Sequence, residues 1–315
     1  MEAPRAAAIL GWTSEFTSTK SLAHFLRETI MNNGKPKEFH NQHEWRVIGM
    51  SRSGNHAIIH WLLAQAEGRT CFLNCTEPKN NPFHWPRCLG NGRAYLASYP
   101  EFDLQRERSG DFSRKDYLIY SHEDVFLGLL RRGPWEEERD DWVGRSAERR
   151  DILILRDPFN LFASRMKAGI GTIPLHTAAR IWKQHAKEFL GRQRTLPEPP
   201  TCISYNDWVA NKSYRREAAE RLGLTFSDAG RHRVPATAGG SSFDSLRHRR
   251  RASKMRVFDR WKEFFRDDAY RSLFDAQMMD LSETIFGRLP AAERLAQRRS
   301  RRTRRAAASA QKCRA

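Results

Sequence analysis

Residues 49–56 read Gly49-Met50-Ser51-Arg52-Ser53-Gly54-Asn55-His56. A short apolar run, Trp45 to Ile48, precedes them, and Ile58, Ile59, Trp61, Leu62 and Leu63 follow with the spacing of a buried helix. Strand, Gly-rich turn and helix in that order make an anion cradle. The N–H groups of the turn and of the helix N-terminus point at one spot, where a phosphate can sit. Gly49 and Gly54 keep the spacing of a nucleotide phosphate loop, but Asn55 and His56 stand where that loop carries Lys and then Ser or Thr. The Lys reaches the outer phosphates and the hydroxyl holds Mg²⁺, so the two chemical parts of an ATP-dependent kinase are missing. Arg52, inside the loop, puts a positive charge where negative charge would develop.

A second group of residues suits phosphate as well. The apolar run Asp151–Leu155 ends in Arg156, and Ser164 follows on a helix that Asp157 caps and Pro158 begins. A guanidinium forks onto phosphate oxygens, and a hydroxyl two turns into the helix adds a donor. Between the two groups, the run Tyr117–Ser121 ends in His122-Glu123. An imidazole of ordinary pKa, near ~6.5, suits proton abstraction at neutral pH. Ser204-Tyr205-Asn206-Asp207-Trp208 closes another apolar run, and Arg247–Arg256 is a basic stretch ahead of Arg260-Trp261.

Ser51–His56 resembles the 5′-phosphosulfate loop of sulfotransferases that use 3′-phosphoadenosine 5′-phosphosulfate (PAPS), commonly P-[KR]-S-G-T-[TS]. Arg156 and Ser164 resemble the pair that binds the 3′-phosphate in that family, and Tyr205 its adenine-side tyrosine. The resemblance covers roughly Glu44 to Phe286. It implies sulfuryl transfer from PAPS to a hydroxyl or amine, in line and without a metal. Arg52, Ser53, Gly54, Asn55 and His56 would hold the 5′ side of the donor. His122 would be the base, with Glu123 as its alternative. One or more of Arg251, Lys254 and Arg256 would close over the 3′-phosphate. The acceptor would be a small molecule or a glycan. The chain departs from the family at several points. No Pro precedes Arg52, Asn55-His56 replace a hydroxyl pair, Ala57 replaces a stacking aromatic, and R-K-G-x-x-G-D-W does not occur. Two other readings share these residues: a drifted kinase-like phosphotransferase, and a polyanion- or nucleic-acid-binding protein with a vestigial site.

Short apolar strands alternating with helices predict an α/β domain, a parallel sheet with helices on both faces in the three-layer arrangement of phosphate-loop proteins. The expected strands are 45–50, 71–75, 117–121, 151–155 and 201–205. The expected helices are 54–66, 158 onward, 175–190, 207–222, 258–265 and 269–286. Residues 1–43 read as a polar extension with one short helix near Leu22–Ile30, 44–288 as the domain, and 289–315 as a disordered basic tail. The segment Thr76–Ser113 is rich in Pro, Asn and Gly and reads as an irregular excursion, with Phe83, Trp85 and Tyr95 available to shape an acceptor site.

The chain has 315 residues and a net charge of +18. Residues 290–315 hold +8 of that charge and residues 247–256 hold +6, so the basic character is local. Such a distribution favours a small anionic ligand over a nucleic-acid polymer. Cys71, Cys75, His84 and Cys88 match no structural zinc spacing, and five cysteines do not make a disulfide framework. With no apolar run of membrane-spanning length and no basic-then-apolar leader, the expected location is the cytoplasm.

Overall fold

The computed structural model describes residues 38–78, 80–84, 86, 95–131, 134–232, 241–244, 247–248, 251–298 and 300. The helix expected at Leu22–Ile30, the tail beyond 300, and Trp85, Cys88, Arg249 and Arg250 lie outside the described residues. The chain divides into two units at Glu38, and every element named below belongs to the second.

Six strands form one sheet: β1 (Asn41–Gly49), β2 (Thr70–Leu73), β3 (Tyr95–Ala97), β4 (Lys115–Glu123), β5 (Ser146–Leu155) and β6 (Thr201–Ser204), in the order β3-β2-β4-β1-β5-β6. All neighbours pair in parallel except β3, which runs antiparallel on β2. The chain leaves β1 outward to β2, returns to β4, and then crosses β1 to β5. A crevice at the carboxyl ends of the strands follows from that reversal.

Side chains of successive residues go to opposite faces, and here both faces are covered. Trp45, Val47, Ile119, Ile152 and Ile154 pack with residues of the helices Asn55–Leu63, Tyr205–Ala210 and Lys212–Arg221. Ile48 and Leu153 pack the other way, against Leu127, Leu130 and Leu196. Leu155 meets Phe159, Phe162, Ile181 and Trp182 from the helices Pro158–Lys167 and Leu175–Phe189. Each such side chain contributes about 1.5–3 kcal/mol. Two-sided burial is why these strands read as nearly unbroken apolar runs. The α/β architecture is the expected one.

Local polar chemistry accounts for the differences. The helix expected over 207–222 is two helices, because Asn211 leaves the helical region and its side chain accepts the N–H groups of Ser213 and Tyr214. Asp275 divides 269–286 in the same way, accepting from the N–H of Met278. Only Trp261–Phe264 of the segment 258–265 is helical. β1 begins at Asn41, whose buried amide donates to Val143 O and Ser146 Oγ. At the other end, residues 290–298 are helical, and Ala291 and Leu295 are buried against the Trp182 side of the core.

The excursion after β2 also has more structure than expected. It contains β3 and the helix Leu104–Arg108, and it builds a core of its own from Phe83, Tyr99 and Phe102 over Cys71, Leu73 and Leu118. A buried ion pair, Lys115 Nζ to Glu107 at 2.8 Å, fastens it to β4. Phe83 and Tyr95 are committed to that core and do not line the main cleft. Burial pushes the Cys71 thiol well up. Among the described residues, no three His, Cys, Asp or Glu side chains gather as a metal site, and no helix is long and apolar enough to cross a membrane.

Candidate active site

Four parallel strands end at one cleft. Arg52 to Ala57 follow β1, Glu123 ends β4, Arg156 follows β5, and Tyr205, Trp208 and Val209 follow β6. A later segment completes it with Arg231, Ser241, Ala252, Met255, Val257 and Arg260. The cleft holds about 810 Å³, open mouth included.

The loop after β1 is a tight, internally bonded turn. Met50 O accepts the N–H of Ser53 at 2.9 Å and its hydroxyl at 2.7 Å. The Ser53 hydroxyl also lies 2.6 Å from Asn55 Oδ1, so this buried side chain works inside the loop and does not face the cleft. Arg52 and Gly54 both adopt positive φ, 75° and 94°. Gly54 heads the helix Asn55–Leu63 with no side-chain cap; its carbonyl takes the Ala57 N–H, and the N–H groups of Asn55 and His56 ahead of it are the ones a ligand could use. A Cβ on Gly54 would lie 2.2 Å from the Tyr205 ring. Gly54→Ala is therefore expected to cost at least about 1–3 kcal/mol in urea unfolding, from the strained φ and the forced Tyr205 movement together. An unchanged midpoint would show that this close approach is not real.

The loop is also held from outside. Asp124 Oδ1 accepts the N–H of Ser51 at 3.1 Å and a guanidinium N–H of buried Arg165 at 2.6 Å, while Arg165 also donates to Ser51 O at 3.1 Å. Glu123, the adjacent residue, turns its carboxylate to the loop. Its Oε1 accepts from Asn55 Nδ2 at 2.9 Å and its Oε2 from the Ser51 hydroxyl at 2.9 Å. His56 lines the cleft, with Nε2 2.7 Å from Asn74 Oδ1.

His122 stands elsewhere. Successive strand residues face opposite ways, and its ring is fully buried behind the excursion, with Nδ1 2.8 Å from Thr76 O. It does not line the cleft, and burial pushes its pKa down to about 3. The expectation of His122 as base thus meets a neutral imidazole with very weak proton affinity, away from the loop. Burial likewise holds His185 near about 4. Unfolding frees both rings to titrate at their ordinary 6.5. Between that pH and the folded value the unfolded chain binds more protons, so stability falls as pH falls. Acidification from pH 6.5 to 4.5 is expected to cost about 2 kcal/mol for each ring, about 4–5 kcal/mol together, read from urea unfolding at the two pH values. A flat response would contradict the buried, neutral rings.

On the far side of the loop, guanidinium groups converge. Buried Arg156 donates to Arg52 O at 3.1 Å, Ser164 Oγ at 3.3 Å and Val257 O at 2.7 Å. Its guanidinium lies 5.0 Å over the Tyr205 ring. Arg260 donates to the same Ser164 hydroxyl at 2.9 Å and to Ser241 Oγ at 2.9 Å, with Asp244 4.0 Å away. Burial first, then the charge of Arg156, pushes Arg260 down, and the same two causes lower Arg52. Like charges crowded out of water with mostly neutral acceptors are what an anion would relieve. Arg231 adds a further cation over the Trp208 ring, at 4.8 Å, and Trp208 stacks on Tyr205.

The structure therefore brings Arg52, Gly54, Asn55, His56, Glu123, Arg156 and Tyr205 together on one cleft, with Ser53 and Ser164 just behind its wall. Arg251, Lys254 and Arg256 point out to solvent, and Arg256 pairs with Asp259. Their neighbours Ala252, Met255 and Val257 face in, and Arg260 is the basic residue of this region that lines the cleft. Sequence reasoning missed Arg260, Arg231 and Trp208. A basic residue directly before a buried Trp was the available signal for Arg260, and an aromatic three residues after Tyr205 for Trp208.

No protein-family model matches the chain, and no curated protein matches it. Among solved structures, the sulfotransferase domain of the Synechococcus PCC 7002 olefin synthase is similar, with a TM-score of 0.49 and 14% identity. The likeness covers 81% of this chain and 98% of that domain. At that distance it bears on neither chemistry nor ligand.

Proposed function

We propose that the chain is a PAPS-dependent sulfotransferase acting on a hydroxyl or amine of an acceptor. One observation carries the reading: Arg156 and Arg260 meet on the hydroxyl of Ser164, in the cleft that begins at the loop of Arg52. A donor with phosphate at two positions needs two such anion seats, and ATP needs only the loop. When bound, PAPS supplies an activated sulfuryl group whose leaving group is a nucleotide phosphate.

The residues take their roles from their places. Arg52 and the first-turn N–H groups neutralise charge that grows on the leaving phosphate. Arg156 and Arg260 hold the 3′-phosphate, with Ser164 aligning both. Tyr205, Trp208 and Arg231 offer a flat, cation-flanked face for the base. Glu123, oriented by Asn55 and Ser51, takes the acceptor's proton.

Calorimetry with 3′-phosphoadenosine 5′-phosphate tests the reading. The wild type is expected to bind it. Arg156→Ala is expected to bind about 10–100-fold more weakly, the worth of one charged hydrogen-bonding group. AMP, which lacks the 3′-phosphate, should lose a similar factor on the wild type and be insensitive to Arg156→Ala. No binding to the wild type overturns the proposal, and preferential binding of Mg-ATP would mark phosphotransfer instead.

A further inference from the structure

Among the described residues of the basic stretch 247–256, Arg251, Lys254 and Arg256 do not line the cleft. Arg251, Lys254 and Arg256 are exposed, and no acidic residue occurs between Asp244 and Asp259. Arg249 and Arg250 enter by sequence alone. In the middle of this stretch stands Ser253, exposed, on the single turn Ala252–Lys254. Its neighbours along the chain, Ala252 and Met255, line the cleft on the inner side of the same turn. Ser253 thus has arginines two and three residues before it, Arg251 and Arg250, and lies on the outer surface of the cleft wall.

Two arginines just before an exposed serine in the sequence have a defined use. They fit the carboxylates of an acidic substrate groove through paired N–H···O bonds. Charge patterns of this kind are how kinases choose substrates. The turn that presents Ser253 is cheap to open. It is held by Lys254 N–H on Arg251 O and Met255 N–H on Ala252 O and tied to the domain by Ala252 N–H on His232 O, and a lone 3₁₀ turn is weakly stabilised.

We propose that Ser253 is a phosphorylation site for a basophilic serine kinase, and that phosphate there closes the neighbouring cleft to anionic ligands. In the step, Ser253 Oγ bonds to the γ-phosphorus of ATP as the bond from that phosphorus to the bridging oxygen breaks. ADP leaves with the bridging oxygen, and the hydroxyl proton passes to the kinase's base. The product adds about −1.5 to −2 charge to the wall of a cleft whose binding depends on Arg52, Arg156, Arg231 and Arg260. That charge, on the wall, repels an incoming phosphate.

The test uses the full chain, a purified basophilic serine kinase and Mg-ATP, with the site mapped by mass spectrometry. The mapping matters because Ser300 and Thr303 also neighbour arginines. Phosphate on Ser253, no loss of incorporation at other sites in Ser253→Ala, and at least fivefold weaker binding of 3′-phosphoadenosine 5′-phosphate to the modified wild type are expected. Unmodified Ser253→Ala should bind the nucleotide like the wild type, since Ser253 does not line the cleft. Absence of phosphate on Ser253 overturns the proposal, and so does a phosphorylated protein that binds as tightly as before. The closing effect rests on the proposed donor site, whereas the mapping does not. If unmodified protein binds no nucleotide, that failure belongs to the sulfotransferase reading, and inorganic pyrophosphate replaces the nucleotide as the anionic probe.

Discussion

Glu123→Gln is expected to lower kcat for sulfuryl transfer by about 10²–10⁴ while leaving the affinity for 3′-phosphoadenosine 5′-phosphate within a few-fold of wild type. The amide keeps the shape and can still accept from Asn55, so the loop contacts of the carboxylate survive in part. What it loses is the ability to take a proton. His122→Gln, by contrast, should leave kcat far closer to wild type in whatever fraction folds, because the ring is buried against Thr76 and outside the cleft. Steady-state rates with any acceptor that the wild type sulfates, paired with calorimetry on each variant, decide the matter. An active Glu123→Gln beside a folded, nucleotide-binding but dead His122→Gln would return the base to the imidazole.

Arg52→Ala is the second large effect, at about 10²–10³ in kcat, the usual size for losing one group that stabilises developing charge. The backbone makes this a clean substitution. Arg52 already holds φ at 75°, a cost of about 1–3 kcal/mol that Ala would share, so the loop's strain is unchanged. The carbonyl of residue 52, which Arg156 grips at 3.1 Å, is also retained. Loss of rate with a kept unfolding midpoint and kept 3′-phosphate dependence is expected. A variant that turns over normally would remove Arg52 from the chemistry and leave it as a rim charge.

Much of this fold was legible because its strands are buried on both sides. Asp151–Leu155 could be read without ambiguity, and Asp157 as a helix cap is as expected, accepting the N–H of Asn160 at 2.8 Å. The tight turn after β1 was legible for a similar reason: Gly49 and Gly54 sit where a side chain would collide, with Asn55 and with Tyr205. Two things were not legible. The first was which of His122 and Glu123 faces the loop, since the strand-end parity that decides it depends on the register of β4 with β1, where Gly49 pairs with Glu123. The second was the identity of the late arginine. Arg251, Lys254 and Arg256 are closer to the expected motif, but a single short turn rotates them outward, and nothing local in the sequence fixes that rotation.

The grip of Arg156 has a consequence for how the protein is made. One guanidinium joins the loop carbonyl at residue 52, 104 positions earlier, to the carbonyl of Val257, 101 positions later. During synthesis the loop after β1 and most of the sheet emerge long before the segment that roofs them. A nascent chain halted after β6 would carry an open, charged cradle whose guanidinium groups are still in water. The proposed two-seat preference for a bisphosphate would then arise only with the last quarter of the chain. Earlier lengths would discriminate poorly among phosphates.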